Sequence, residues 1–152
     1  MKPDVPGEPS NRHMWRVALI TALALISTAC LGSDFADSVE GSWQMTSGTV
    51  DGEEIPIIET HPISITFEDD QVSGTASCNG YGGTFELDES TITFSDLAMT
   101  EMGCSPEEIM QAESMFATAI TRVDRVSLDG NLTLSGAGVE MVFEAIEAPS
   151  KS

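Results

Sequence analysis

The stretch "ISITFEDDQVSGTASCNGYGGTFELDESTITF", residues 63–94, decides the fold class because short apolar–polar alternations in it are separated by acidic turns. Residues 63–67 alternate as a half-buried strand does, and residues 71–77 return after the first turn. Residues 83–87 and 91–94 repeat this pattern around a second turn. The stretch therefore predicts two antiparallel hairpins.

One segment changes from strand to helix periodicity. Ser105 begins a capping-box pattern with Pro106 at the first helical position and Glu108 at the third. Apolar residues then recur at helical spacing, at Ile109, Ala112, Phe116, Ala119, Ile120 and Val123. The acidic residues, Glu113 included, fall mostly off that stripe. The pattern predicts one amphipathic helix over residues 106–122.

Strands precede and follow this helix. Trp43 begins a β-rich pattern, and residues 125–145 contain two alternating runs around the tight-turn pair Asp129-Gly130. A second turn is predicted at residues 135–138. Strands, one main helix and further strands, without βαβ alternation, favour an α+β fold with an antiparallel sheet.

The N-terminus has the pattern of a secretory signal peptide over residues 1–29. Charged residues precede an apolar run at residues 17–26, and small residues follow it. The stretch up to residue 31 is shorter than the roughly 20 apolar residues that a membrane-spanning helix needs. The pattern favours export over a transmembrane segment.

The exit sequence "ISTAC", residues 26–30, is similar to the lipobox of bacterial lipoproteins. In such proteins the cysteine becomes the first mature residue and carries lipid. We therefore predict lipidation of Cys30 and a cell-membrane anchor facing the periplasm or the extracellular side, although residues 27–29 also suit an ordinary signal peptidase. Residues 30–41 would then form an acidic tether, residues 42–146 the domain and residues 147–152 a flexible tail.

The charge excludes one class of partner. The chain has 25 acidic and 6 basic residues and a net charge of −19. Such a surface repels phosphate backbones, so we expect no nucleic-acid partner. Scattered acids favour a solvated surface, and an acidic patch for a basic partner or divalent cations stays an alternative. We expect a monomer with no cofactor.

Three cysteines are an odd number for an exported protein. If Cys30 carries lipid, Cys78 and Cys104 remain, and an oxidising compartment permits a disulfide that would stabilise the fold by about 3 kcal/mol. Two buried free thiols are an alternative. A catalytic cysteine with His61 as base, or a metal site, is another, although close-spaced ligands are missing.

Two residues beside Cys78 are candidates for a contact surface. Asn79 and Tyr81 stand among glycines, where an exposed aromatic ring often meets a ligand. The structural alternative is a strand-end bulge in which Asn79 and Gly80 adopt positive φ and Tyr81 packs on the helix. Methionines could bind a soft metal or fill the core, and core packing is favoured for Met99, Met102, Met110 and Met115.

The paired blocks "CNGYGG" (residues 78–83) and "MTEMGC" (residues 99–104) resemble the META domain family of HslJ-like lipoproteins. The Gly-x-Trp start at residues 41–43 fits as well, and the resemblance covers residues 41–145. It implies a curved antiparallel sheet, like a partly open barrel, packed on one main helix. It also implies an envelope location and an association with stress or antibiotic tolerance, and it implies no reaction.

Two function classes follow. The first is a non-enzymatic envelope lipoprotein that acts through contacts with an envelope protein or a cell-wall component. The alternative is a cell-envelope hydrolase-like enzyme that uses Cys78 or acidic residues. The single histidine outside the signal segment, His61, and the lack of a nucleophile-elbow motif favour the first. We assign no catalytic residue and no metal site.

Overall fold

The computed structural model describes residue 35 and residues 38–146. Within them the chain forms an antiparallel sheet and a fourteen-residue helix. The elements are β1 (Gly41–Val50), β2 (Glu53–Glu54), β3 (Ser64–Glu68), β4 (Gln71–Ala76), β5 (Asn79–Asp88), β6 (Thr91–Met99), α1 (Glu107–Ile120), β7 (Val123–Asp129), β8 (Asn131–Gly136) and β9 (Val139–Ile146). The predicted signal peptide, Cys30 and the tail at residues 147–152 lie outside the described residues.

The sheet closes on itself. Strands β3 to β9 follow one another in order in the sheet, and β1 pairs with both β3 and β9. The pairing of β1 with β9 runs from Ser42↔Ile146 to Val50↔Val139. Strand β2 only extends the turn after β1. The predicted α+β fold with a curved antiparallel sheet and one main helix is therefore confirmed, and the barrel is a closed one of eight strands.

Both predicted hairpins in residues 63–94 are present, and the second is longer than predicted. Strands β5 and β6 continue past a bulge, where Gly83 faces two residues because Gly82 pairs with Ala98 and Thr84 with Ser95. A Cβ at Gly83 would lie 2.7 Å from the Ser95 carbonyl oxygen, so the bulge requires glycine there. The extra residue lies in β6 and shifts the alternation of that strand by one position, so its apolar side chains before and after the bulge lie on the same face of the sheet.

The helix is shorter than predicted. It runs over Glu107–Ile120, and its first flanking residue is Pro106, which has an extended backbone with ψ of 169°. No side chain caps its N-terminus, so the predicted capping box at Ser105 is wrong. The helical turn starts after Pro106, which leaves Ser105 one position too early to cap it.

The core fills the barrel and continues under α1. Its largest fully buried side chains include Phe67, Phe116, Phe143, Met45 and Ile65. Val39 is also fully buried, and its carbonyl oxygen accepts a 2.9 Å hydrogen bond from the indole of Trp43. The described part of the chain contains no helix long and apolar enough to cross a membrane.

Candidate functional site

The structure brings together the two sequence blocks at residues 78–83 and 99–104. Cys78, in the turn between β4 and β5, forms a disulfide with Cys104, and their Cα atoms are 5.9 Å apart. The segment between β6 and α1 is thereby fixed beside the start of β5. Cys78, the cysteine nucleophile of the hydrolase alternative, is held in this bond.

Asn79 is buried and is the centre of a hydrogen-bond network next to the disulfide. Its side-chain amide nitrogen donates to Glu113 Oε1 at 3.0 Å and to the Met102 carbonyl oxygen at 2.9 Å. Its side-chain oxygen accepts from the Thr100 hydroxyl at 2.8 Å and from the Met102 amide at 2.7 Å. All four side-chain bonds of one asparagine are made within the protein.

Glu113 joins this network to the helix. Its Oε2 accepts a 2.8 Å hydrogen bond from the backbone amide of Asn79, and the residue is 8% exposed. The prediction that Glu113 falls off the apolar stripe of the helix is wrong. The position lies four residues after Ile109 and three before Phe116, which is the spacing that places it on the same face.

Asn79 and Tyr81 do not form an exposed contact surface, because Asn79 is 1% and Tyr81 8% exposed. The Tyr81 ring packs on Phe116, with centroids 5.2 Å apart, and its hydroxyl donates to the Ser64 carbonyl oxygen at 2.9 Å. Gly74 makes this possible, since a Cβ there would lie 2.9 Å from the Tyr81 hydroxyl oxygen. The alternative prediction, that Tyr81 packs on the helix, therefore describes the observed arrangement.

The positive φ predicted for Asn79 and Gly80 occurs instead at Ser77, which has φ of 71°. Both predicted residues already belong to β5, so their backbones are extended. Ser77 is buried, and its hydroxyl oxygen has no hydrogen-bond partner among the residues that the structure describes.

We expect Ser77→Gly to raise the free energy of unfolding by about 1 kcal/mol, because it relieves a left-handed backbone and removes an unpaired hydroxyl. Ser77→Ala is the control, since it removes the hydroxyl but keeps the Cβ. Urea denaturation of both variants separates the two contributions. If Ser77→Gly were no more stable than Ser77→Ala, the left-handed backbone at residue 77 would have no measurable cost.

Burial raises the pKa of Tyr81 well above its ordinary value of 10.0. Below pH 10.0 the tyrosine is neutral in both states, so its contribution to stability is complete. Above pH 10.0 the unfolded chain loses the proton and the folded chain keeps it, so we expect stability to fall as the pH rises. Tyr81→Phe should abolish this part of the decline.

The chain contains one tyrosine, so tyrosinate absorbance reports on Tyr81 alone. We expect this absorbance to rise together with unfolding in an alkaline titration. A tyrosinate signal near pH 10 from protein that is still folded would contradict the burial of the hydroxyl.

In the described part of the chain no three His, Cys, Asp or Glu side chains gather to hold an ion. His61 Nδ1 shares a 3.0 Å hydrogen bond with the Thr60 hydroxyl. The groups that converge at the two blocks are joined to one another.

A model of the META domain matches residues 36–148. The chain belongs to the META domain family. Heat shock protein HslJ of Escherichia coli (strain K12) is 24% identical to this META domain protein over 135 residues, which is 86% of this chain and 96% of HslJ. The match to the family model begins before β1 and includes the buried Val39.

Solved structures show the same fold. An NMR structure of a protein from Burkholderia xenovorans aligns with this META domain protein at a TM-score of 0.65 and 22% identity, over 76% of this chain and 88% of that one. A second NMR structure aligns at 0.57 and 22% identity, over 72% and 93%. These likenesses concern the barrel and its helix.

Proposed function

We propose that this protein is a non-enzymatic, lipid-anchored envelope module that acts by contact with an envelope protein or a cell-wall component. The lipobox-like exit at Cys30 supports the anchor, and the charge of −19 favours cationic partners near the membrane. The relative named as a heat shock protein supports a role in stress.

The observation that carries the proposal is the internal use of the disulfide cysteines, Asn79 and Glu113 at the two blocks. Cys78 is in a disulfide, and Asn79 and Glu113 bond to each other and to the neighbouring backbone. A hydrolase site needs a nucleophile and a base that are open to substrate. The arrangement instead makes a rigid body, which suits recognition.

Cellular crosslinking tests contact at the membrane. We would compare the partners of the native protein with those of Cys30→Ala and of a form exported by a non-lipidating signal peptide. If the module acts while tethered, both unanchored forms lose the partner set. A partner set that is unchanged without the anchor would refute the proposal.

The anchor has its own expected result. Native protein should partition into membranes, and Cys30→Ala should release it or block its processing, because two or more acyl chains bind a membrane stably. Mass spectrometry of the mature N-terminus checks this. An unmodified N-terminus would contradict lipidation.

Thiol titration of the denatured, unreduced protein tests the enzyme alternative. We expect no thiol from Cys78 or Cys104. Two reactive thiols, together with turnover of a cell-wall substrate that disappears in Cys78→Ser, would establish the hydrolase instead.

A further inference from the structure

Strand β6 has an open edge. It is paired to β5 along its length, but its only Cα pair with β7 is Thr91↔Arg125. From Thr93 to Met99 the side of β6 that faces away from β5 has no strand partner in the described sheet. Alternate backbone N–H and C=O groups on that edge are therefore available to a further strand.

An apolar groove follows the same edge. A cavity of about 200 Å³ is lined by Leu97 and Met99 of β6 and by Ala117 and Ile120 of α1. A second cavity, of about 420 Å³, adjoins it at Leu97 and continues along Phe94 towards β7. Phe94, Leu97 and Met99 are each half-buried, so apolar surface stays accessible beside the open backbone.

The rim of this groove is acidic. The exposed residues Asp96 and Asp124 both line the second cavity. Among the described residues, the only lysine or arginine side chains are those of Arg122 and Arg125. Arg122 is paired with Asp51 at 2.9 Å. The electrostatic potential along the groove therefore favours a positively charged occupant.

Charge also excludes two other occupants. A second copy would bring Asp96 and Asp124 towards their own equivalents on a chain of the same net charge, −19. The chain's own residues 31–41 contain acidic residues and no basic one, so they would be repelled as well. Like charges along an edge oppose such pairing, which is how native sheets avoid self-association.

We infer that the open edge of β6 binds an extended peptide segment in which apolar and basic residues alternate. The inference rests on the proposed contact function and gives the partner's chemistry. Backbone hydrogen bonds to residues 93–99 add a strand to the barrel, as in other cases of peptide binding at a sheet edge. Alternate apolar side chains enter the groove, and the basic ones lie near Asp96 and Asp124.

The probe is a synthetic heptapeptide of alternating valine and lysine, titrated into the isotope-labelled full mature protein and followed by NMR. We expect amide shift changes concentrated at residues 93–99. The matched valine–glutamate heptapeptide should bind at least tenfold more weakly. Salt should weaken binding of the lysine peptide, because exposed charges are screened.

Two methylated peptides test the added strand itself. Alternate amides of a strand point to opposite sides, so N-methyl groups on all valines or on all lysines block one side only. One of these peptides should lose about tenfold or more in affinity, and the other should bind as the parent does. Equal binding by both would overturn strand addition.

Protein variants test the groove and its charge. We expect Asp96→Asn with Asp124→Asn to weaken binding about fivefold, whereas Asp129→Asn with Glu140→Gln, which changes the net charge equally elsewhere, has little effect. Asparagine suits the φ of 53° at residue 96.

Ala117→Leu should fill the groove and weaken binding about tenfold, and Ser114→Leu adds the same bulk on an exposed part of α1. The inference would be overturned if the two double variants weakened binding equally, or if Ala117→Leu and Ser114→Leu did. NMR shift changes away from residues 93–99 would overturn it as well.

The outcomes separate this inference from the proposed function. If neither peptide nor variant acts at β6 but the crosslinked partners still depend on the anchor, the inference fails and the contact function stands. If soluble cell-wall fragments shift residues 93–99 and the lysine peptide does not, the inference is also wrong. Binding at β6 without any anchor-dependent partner would support the edge site and refute the tethered function.

Discussion

Replacing Asn79 with alanine should lower the free energy of unfolding by about 4 kcal/mol. The change leaves the buried Glu113 carboxylate without its side-chain donor and the Met102 amide and carbonyl without their partner. Each buried hydrogen-bonding group that is left without a partner costs about 1–3 kcal/mol, and three groups lose a partner here. Asn79 itself is 1% exposed, so its replacement by alanine leaves a gap inside the fold.

Chemical denaturation measures this effect, and Asn131→Ala is the control because Asn131 is exposed at the start of β8. A double-mutant cycle with Glu113→Ala isolates the part of the destabilisation that comes from the interaction between Asn79 and Glu113. We expect the double variant to be less destabilised than the sum of the single variants, since each removes the same bonds. A loss below 1 kcal/mol in Asn79→Ala would show that the network contributes little.

The double variant Cys78→Ser with Cys104→Ser should lose about 3 kcal/mol of stability. The disulfide closes a loop with a sequence separation of 26, and opening it increases the conformational freedom of the unfolded chain. The bond also holds the segment that carries Thr100 and Met102 against Asn79.

Denaturation with and without a reductant provides the matched test. Reductant should shift the midpoint of the native protein towards that of the double variant and leave the double variant unchanged. An equal shift in both proteins would mean that the reductant acts elsewhere.

The repeating elements of the fold could be predicted because their signals are local. Alternation in residues 63–94 predicted two hairpins, and a change of period predicted the helix, and both are present. The start of the helix could not be predicted as well, since it depends on the backbone of Pro106. No short-range pattern in the sequence indicates that the barrel closes by pairing of β1 with β9.

The candidate site was harder to predict because its bonds join residues far apart along the chain. Asn79 and Glu113 are separated by 34 positions, and neither periodicity nor composition indicates that they meet. Tyr81 stands among glycines, a pattern that suggests exposure, yet Gly74 on the neighbouring strand leaves room for its hydroxyl to reach Ser64. The spacing of Glu113 from Ile109 was the one local signal that was missed.

The pairing of the first barrel strand with the last has a consequence for the order in which the chain folds during synthesis. Strand β1 lacks one of its two neighbours until β9 has left the ribosome, so the barrel cannot close on a growing chain. Contacts between distant segments also form slowly, because closing a long loop reduces chain entropy. The topology therefore delays completion of the fold until the last strand has been made.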